Sequence, residues 1–245
     1  TFILDTGAPL CIDRVIQARH HYPVLYTARL RDANGRADST QVVEVDTLRL
    51  GELVFVHIPA VVLDLANGPL GRDGIEGLIG SNVLRFLLVR FDAARHEVVL
   101  ADRQAAVDFD ARRAQPGRLD GQSNFALVMR IGGCHQDTVQ VDSGMGDALL
   151  VDWSENETLL NNCNDDQIRH LGSRRGRTAG VLGSDPNAVE RYRTEKLEIC
   201  GQAVYDTLTF SGTRGGTRLG RALLAYGVFI LDYPGARASF EPYGK

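Results

Sequence analysis

Two Asp-hydroxyl-Gly tripeptides, Asp5-Thr6-Gly7 and Asp142-Ser143-Gly144, each close an apolar stretch, and each is followed at nearly the same distance by an apolar residue and a glycine. The first copy reads Phe2-Ile3-Leu4-Asp5-Thr6-Gly7-Ala8 and is answered by Gly77-Leu78-Ile79-Gly80, 75 positions from Asp5 to Gly80 (80−5). The second reads Val139-Gln140-Val141-Asp142-Ser143-Gly144-Met145 and is answered by Arg218-Leu219-Gly220, 78 positions on (220−142). A third landmark, Val89-Arg90-Phe91-Asp92, returns as Phe229-Ile230-Leu231-Asp232, displaced by 140 (232−92) like the two glycines (220−80). Three landmarks in one order define an internal repeat. At average residue usage an Asp-Thr/Ser-Gly tripeptide turns up roughly 0.1 times in such a chain, so two copies in register exceed ordinary turn chemistry.

The repeat divides the 245 residues into two lobes, 1–102 and 123–245. Between them, 103–122 is charged and turn-rich, with Arg112-Arg113 and Pro116-Gly117, and reads as a connector. Short, often β-branched apolar stretches and 26 glycines predict an all-β protein. A net charge of −4 supplies no basic field for nucleic acid, and no apolar run is long enough for a membrane span. A leading strand is expected before residue 1, because in the second copy a hairpin, Phe125–Ile131 and Thr138–Val141 around Gly132-Gly133, delivers Asp142; a targeting segment is expected there too, which leaves the compartment open with a periplasmic or secreted protein favoured.

The first lobe predicts a short helical turn or a strand over Leu10–Ile16 and extended chain over Tyr22–Leu30. A hairpin at Asn34-Gly35 is placed to cover a cleft, and strands follow at Val45–Leu50 and Leu53–Val62. Ser81 is expected to cap a short helix, and Leu87–Phe91 with Glu97–Leu100 to form a closing hairpin. The second lobe repeats the plan with strands at Lys196–Ile199 and Tyr205–Phe210, a helix in Gly220–Tyr226 and a hairpin of Val228–Leu231 with Ala238–Phe240. Asn161–Val189, polar and Arg-rich, reads as mobile loops.

Other chemistries find little support. Cys11, Cys134, Cys163 and Cys200 show no zinc spacing; the last three allow a disulfide in an exported protein, or all four remain thiols. Ser143 lacks a Gly-x-Ser-x-Gly elbow, and the six histidines read as surface or loop residues without triad spacing. Gly212-Thr213-Arg214-Gly215-Gly216 lacks the Gly-Lys-Ser/Thr of a phosphate loop and reads as an ordinary loop.

A carboxylate in a tight turn after a buried strand is held rigidly, and the glycine behind it lets a second backbone approach. Lobes packed about a pseudo-twofold axis bring Asp5 and Asp142 together. Carboxyls ~3 Å apart share one proton, so one acts as base toward water while the other donates to the carbonyl under attack. Thr6 and Ser143 supply small, satisfied hydroxyls as braces.

These motifs, Asp5-Thr6-Gly7-Ala8 with Gly77-Leu78-Ile79-Gly80 and Asp142-Ser143-Gly144 with Leu219-Gly220, resemble those of the aspartic peptidases of the pepsin and retropepsin-like superfamily, in a compact two-lobed form of the bacterial aspartyl protease kind. The resemblance implies a bilobal acid-protease fold of two β-barrel-like lobes, a cleft for a peptide or protein substrate, and cleavage by water at acidic to mildly acidic pH. No metal or cofactor is implied. It makes Asp5 and Asp142 the catalytic pair, supported by Thr6, Gly7, Ser143, Gly144, Gly80 and Gly220, and a monomer suffices because one chain carries both half-sites. Arg218 and Arg221 flank Gly220 where the superfamily has apolar neighbours, Gln140 stands where Ile3 stands, and Met145 replaces a small residue. No tyrosine lies between Tyr26 and Phe55, where pepsin-like flaps carry one. A scaffold of this kind that binds peptide or acts as an inhibitor without turnover is the alternative.

Overall fold

Alternating apolar residues and glycine-rich turns produce strands nearly throughout. The computed structural model describes residues 1–32, 36–68, 70, 74–102, 109–180, 183–204, 208–213 and 216–244. In chain order the first elements are β1 (Phe2–Asp5), β2 (Cys11–Asp13), α1 (Arg14–His20), β3 (Val24–Arg31), β4 (Ala37–Leu50), β5 (Leu53–Leu63), β6 (Gly77–Gly80), α2 (Ser81–Leu84), β7 (Leu88–Asp92) and β8 (Glu97–Ala101). There follow β9 (Gln115–Leu119), β10 (Phe125–Ile131), β11 (His135–Asp142), β12 (Leu149–Asp152), α3 (Trp153–Asn162), β13 (Ile168–Gly180) and β14 (Gly183–Thr194). The chain ends with β15 (Leu197–Ile199), β16 (Gln202–Val204), β17 (Leu208–Thr213), β18 (Arg218–Gly220), α4 (Arg221–Leu224), β19 (Gly227–Asp232) and β20 (Arg237–Pro242).

One sheet runs β3-β4-β5-β2-β6-β1, and the second contains β13-β14-β17-β12-β18-β11 in the corresponding order before continuing through β10, β9, β20, β19, β7 and β8. Both sheets are open rather than closed into barrels. β7 and β19 pair antiparallel around Arg90↔Ile230, two residues separated by the 140 positions of the repeat (230−90). Antiparallel pairing about equivalent positions is the arrangement that two strands flanking a local twofold axis adopt. A single apolar core joins Val43, Ile79 and Phe91 to Phe125, Val139, Leu219 and Phe229.

Several sequence expectations are met locally. Gly132 and Gly133 both adopt positive φ, 66° and 76°, in the tight turn from β10 to β11, a conformation that glycine takes without steric cost. Leu10–Ile16 resolves into β2 followed by the start of α1, whose N-cap is Asp13, accepting from the Val15 amide at 2.8 Å. The strands flanking Asn34-Gly35 pair as a hairpin out to Arg31↔Ala37, while its tip lies outside the described residues.

Others are corrected. Asn161–Val189 holds the end of α3 and most of a long hairpin, β13 against β14, rather than loops; from Arg169 to Arg174 its residues are mostly exposed, leaving no buried face to mark the strand period. The connector contains β9, which pairs with both β10 and β20. Gly212 and Thr213 belong to β17. Gly80, not Ser81, is the N-cap of α2, and the Ser81 hydroxyl donates instead to the Gln122 carbonyl at 2.9 Å. His135 is buried in β11, unlike the loop or surface position expected of it.

Cys134, in the β10–β11 turn, is disulfide-bonded to Cys163 just beyond α3, whereas Cys11 and Cys200 are buried thiols. The bridge closes a loop of 29 residues, which in the chain-entropy account is worth ~3–4 kcal/mol. Cys134→Ser is therefore expected to lower the denaturant midpoint and, because the unfolded chain loses a cross-link and expands, to steepen the slope, both measurable by urea unfolding under non-reducing conditions.

Candidate active site

β1 lies parallel to β6 with Asp5 opposite Gly80, and β11 lies parallel to β18 with Asp142 opposite Gly220. Each acidic residue is thus the last of a strand whose neighbour ends in glycine. The chain beyond each acid folds back over that glycine: the Ser81 amide donates to Ala8 O at 2.7 Å, and the Arg221 amide to Met145 O at 3.0 Å. A Cβ on Gly80 would collide with the Ala8 carbonyl and Pro9, and one on Gly220 with the Asp147 carbonyl, so both positions exclude every side chain.

The turns also aim the carboxyls. The Gly7 amide donates to Asp5 Oδ1 at 2.9 Å, and the Met145 amide donates to Asp142 Oδ1 at 3.1 Å. Between the two turns run four reciprocal bonds. Thr6 Oγ1 donates to Val141 O at 2.8 Å and accepts from the Ser143 amide at 2.9 Å. Ser143 Oγ donates to Leu4 O at 3.0 Å and accepts from the Thr6 amide at 3.1 Å. Each hydroxyl uses its proton once and a lone pair once, so the polar groups are satisfied between the two turns. Apolar residues could not form this lock.

The two carboxyls converge between the turns, each within electrostatic reach of the other. Gly7 packs against the Asp142 carboxyl and Gly144 against that of Asp5: a Cβ on either would sit 2.6 Å from the opposing Cγ. Burial, with the Asp142 charge second, pushes the Asp5 pKa up to about 7. Burial raises Asp142 as well, opposed chiefly by Arg218, whose Nη1 stands 3.7 Å from Asp142 Oδ2. Desolvation disfavours the charged carboxylate, and a neighbouring like charge does so again.

All eight residues singled out from the sequence, Asp5, Thr6, Gly7, Gly80, Asp142, Ser143, Gly144 and Gly220, come together here. Tyr233 was not singled out. It is buried immediately after the third landmark, packs edge-on against Phe125 with ring centroids 5.3 Å apart, and has its pKa raised by burial and then by Asp5. Its only sequence signal was adjacency to Asp232. Among the described residues no cluster of His, Cys, Asp and Glu suits a metal ion, and no helix is long and apolar enough to cross a membrane.

Residues 1–83, from β1 through most of α2, match the family model described as aspartyl protease. This part of the chain is aspartyl protease-like. Among solved structures, the chain is similar to basic 7S globulin from soybean, at 12% identity and a TM-score of 0.49 over 98% of this chain and 84% of that one. It is also similar to a retropepsin-like aspartic protease from Rickettsia conorii, at 12% identity and a TM-score of 0.30 over 43% of this chain and 81% of that one. No curated protein matches the sequence. The aspartyl protease-like stretch contains Asp5, its turn and Gly80; Asp142 and its turn lie beyond it, on strands of corresponding connectivity.

Proposed function

We propose that the chain is an aspartic endopeptidase, hydrolysing peptide bonds with a water molecule activated between Asp5 and Asp142. The observation that carries this reading is the convergence of the two carboxyls, each aimed by its own turn, packed against the glycine of the other turn and driven toward its protonated form by burial. A pair so placed holds one proton over a wide pH range. The ionised member removes a proton from water as its oxygen adds to the peptide carbonyl carbon, while the protonated member donates to the carbonyl oxygen. Proton delivery to the amide nitrogen then lets the C–N bond break. No covalent intermediate and no cofactor beyond water are required.

In this reading Thr6 and Ser143 hold the turns in register, Gly7 and Gly144 permit the close approach, and Gly80 and Gly220 let the chain fold back over each strand end. The substrate, a peptide or protein, lies between lobes 1–102 and 123–245, joined by 103–122, and the β3–β4 hairpin borders it. One chain supplies both acids, so a monomer is sufficient.

The test is cleavage of a peptide library between about pH 3 and about pH 7, with pepstatin as inhibitor. Cleavage favoured at the acidic end and blocked by pepstatin is expected. The competing reading, a peptide-binding or inhibitor-like protein without turnover, draws on the cation beside Asp142; peptides retained uncleaved across the whole range would favour it.

A further inference from the structure

The two half-sites are built alike, yet hydrolysis needs one carboxyl to be a base and the other an acid. Local backbone bonds do not separate them, since each Oδ1 accepts one amide from its own turn. The difference lies two residues before the glycine of each neighbouring strand. In the first lobe that position is Leu78, opposite Ile3 and packed with Cys11, Leu63 and Leu65 in an apolar cluster. In the second, 140 positions on (218−78), it is Arg218, opposite Gln140. Alternation along a strand puts this residue on the same face as the acid. The guanidinium accordingly reaches 3.7 Å from Asp142 Oδ2, with the Arg and Asp side chains only 15% and 13% exposed.

We infer that Arg218 makes the pair unequal: it holds Asp142 as the carboxylate that takes the proton from water, leaving Asp5 as the acid that protonates the peptide carbonyl. The assignment rests on the hydrolytic reading above. The balance is closed: the water O–H proton passes to Asp142, the water oxygen bonds to the carbonyl carbon, and the Asp5 proton passes to the carbonyl oxygen.

The surroundings favour the same direction. Asp142 faces Asp5 from β1 and Arg218 from β18, and Arg221 of α4 lies against Gly146 in the turn just beyond. Within electrostatic reach of Asp5 are Asp142, Cys11 of β2 and Tyr233 beyond β19; burial raises the pKa of both the thiol and the phenol and so keeps them uncharged. Cations therefore stand on one side of the pair and neutral groups on the other. A buried pairing with arginine lowers a carboxyl by about 1–3 pH units.

Carbon-13 NMR titration of labelled Asp carboxyls, alongside the pH dependence of kcat/KM, tests this in wild type and in Arg218→Leu, Arg218→Gln and Arg218→Lys. In wild type, Asp142 should ionise at the lower pH. Loss of the charge in Leu or Gln should raise that lower pKa, and with it the acid limb of the rate profile, by about 1–2 units, while Lys retains most of the wild-type value. If Leu does not fold, Gln against Lys decides, since both are long and polar and differ in charge. Asp5 ionising first, or Gln and Lys giving the same titration, would overturn the assignment. Absence of cleavage with the expected titration would instead strike the hydrolytic reading and leave the role of Arg218 in the charge distribution standing.

Discussion

Asp5→Asn and Asp142→Asn should each lower kcat on a cleavable peptide by roughly 10³-fold or more, with the fold intact. The amide keeps the size of the carboxyl and still presents an oxygen to the Gly7 or Met145 amide, but it neither removes a proton from water nor delivers one to a carbonyl. The two turns remain joined, because the bonds of Thr6 and Ser143 do not involve the acidic side chains. Steady-state kinetics with a thermal melt on each variant check both halves of the statement. A variant that melts no lower than wild type and still cleaves at more than about a tenth of its rate would remove that acid from the chemistry.

The same substitution carries a pH signature. Burial and the neighbouring Asp142 push the Asp5 pKa up to about 7 from the ordinary 3.8, so between these values the folded state binds more protons than the unfolded state. Stability therefore falls as pH rises through that window: the contribution is complete below it and lost above it. Asp5→Asn abolishes this dependence. Relative to wild type the variant gains stability from pH ~4 to pH ~8, by a few kcal/mol at most, and melts at three pH values measure the slope. In this reading stability and activity decline together, since the fully ionised pair both holds the chain least well and lacks the proton that the peptide carbonyl must receive.

What the sequence makes legible follows from how narrowly each feature is constrained. Asp5 and Asp142 stand out because their turns accept a hydroxyl residue and a glycine and little else, and Gly80 and Gly220 because the chain folds back into contact with them. The displacement of 140 between Val89–Asp92 and Phe229–Asp232 was legible before any strand was placed, whereas the pairing of Arg90 with Ile230 was not. The β13–β14 hairpin was hidden for the opposite reason: residues 169–174 are exposed on both faces, so no alternation records the strand. Ser81 carries an N-cap residue's chemistry but spends its hydroxyl on Gln122, a partner 41 positions away. Arg218 was conspicuous as a charge beside an expected apolar segment, yet its reach to Asp142 depends on the parallel register of β11 and β18. The Cys134–Cys163 bridge likewise requires the turn and the end of α3 to meet, which spacing does not encode.

Four glycine-to-alanine substitutions should divide into two classes. In Gly7→Ala the new methyl lies 2.6 Å from Asp142 Cγ, and in Gly144→Ala it lies 2.5 Å from Asp5 Oδ2. The obstacle in both is the carboxyl itself, so relief comes from swinging it out of the pair. Activity should fall by about 10²-fold or more, the cost of misplacing a reacting group by roughly 1 Å, while the melting temperature changes little. In Gly80→Ala and Gly220→Ala the obstacle is backbone: the Ala8 carbonyl and Pro9 in one lobe, the Asp147 carbonyl in the other. Neither can rotate away, and moving them disrupts the Ser81–Ala8 or Arg221–Met145 bond. Overpacking of this kind costs about 1–3 kcal/mol or more, about 2–4 °C in melting temperature per kcal/mol for a chain of this size. Kinetics and melts on the four variants separate the classes, because only the first pair should lose turnover without losing stability. Full activity in a folded Gly7→Ala would mean that the carboxyls need not touch for the reaction to proceed, and the shared-proton mechanism would fail on that result alone.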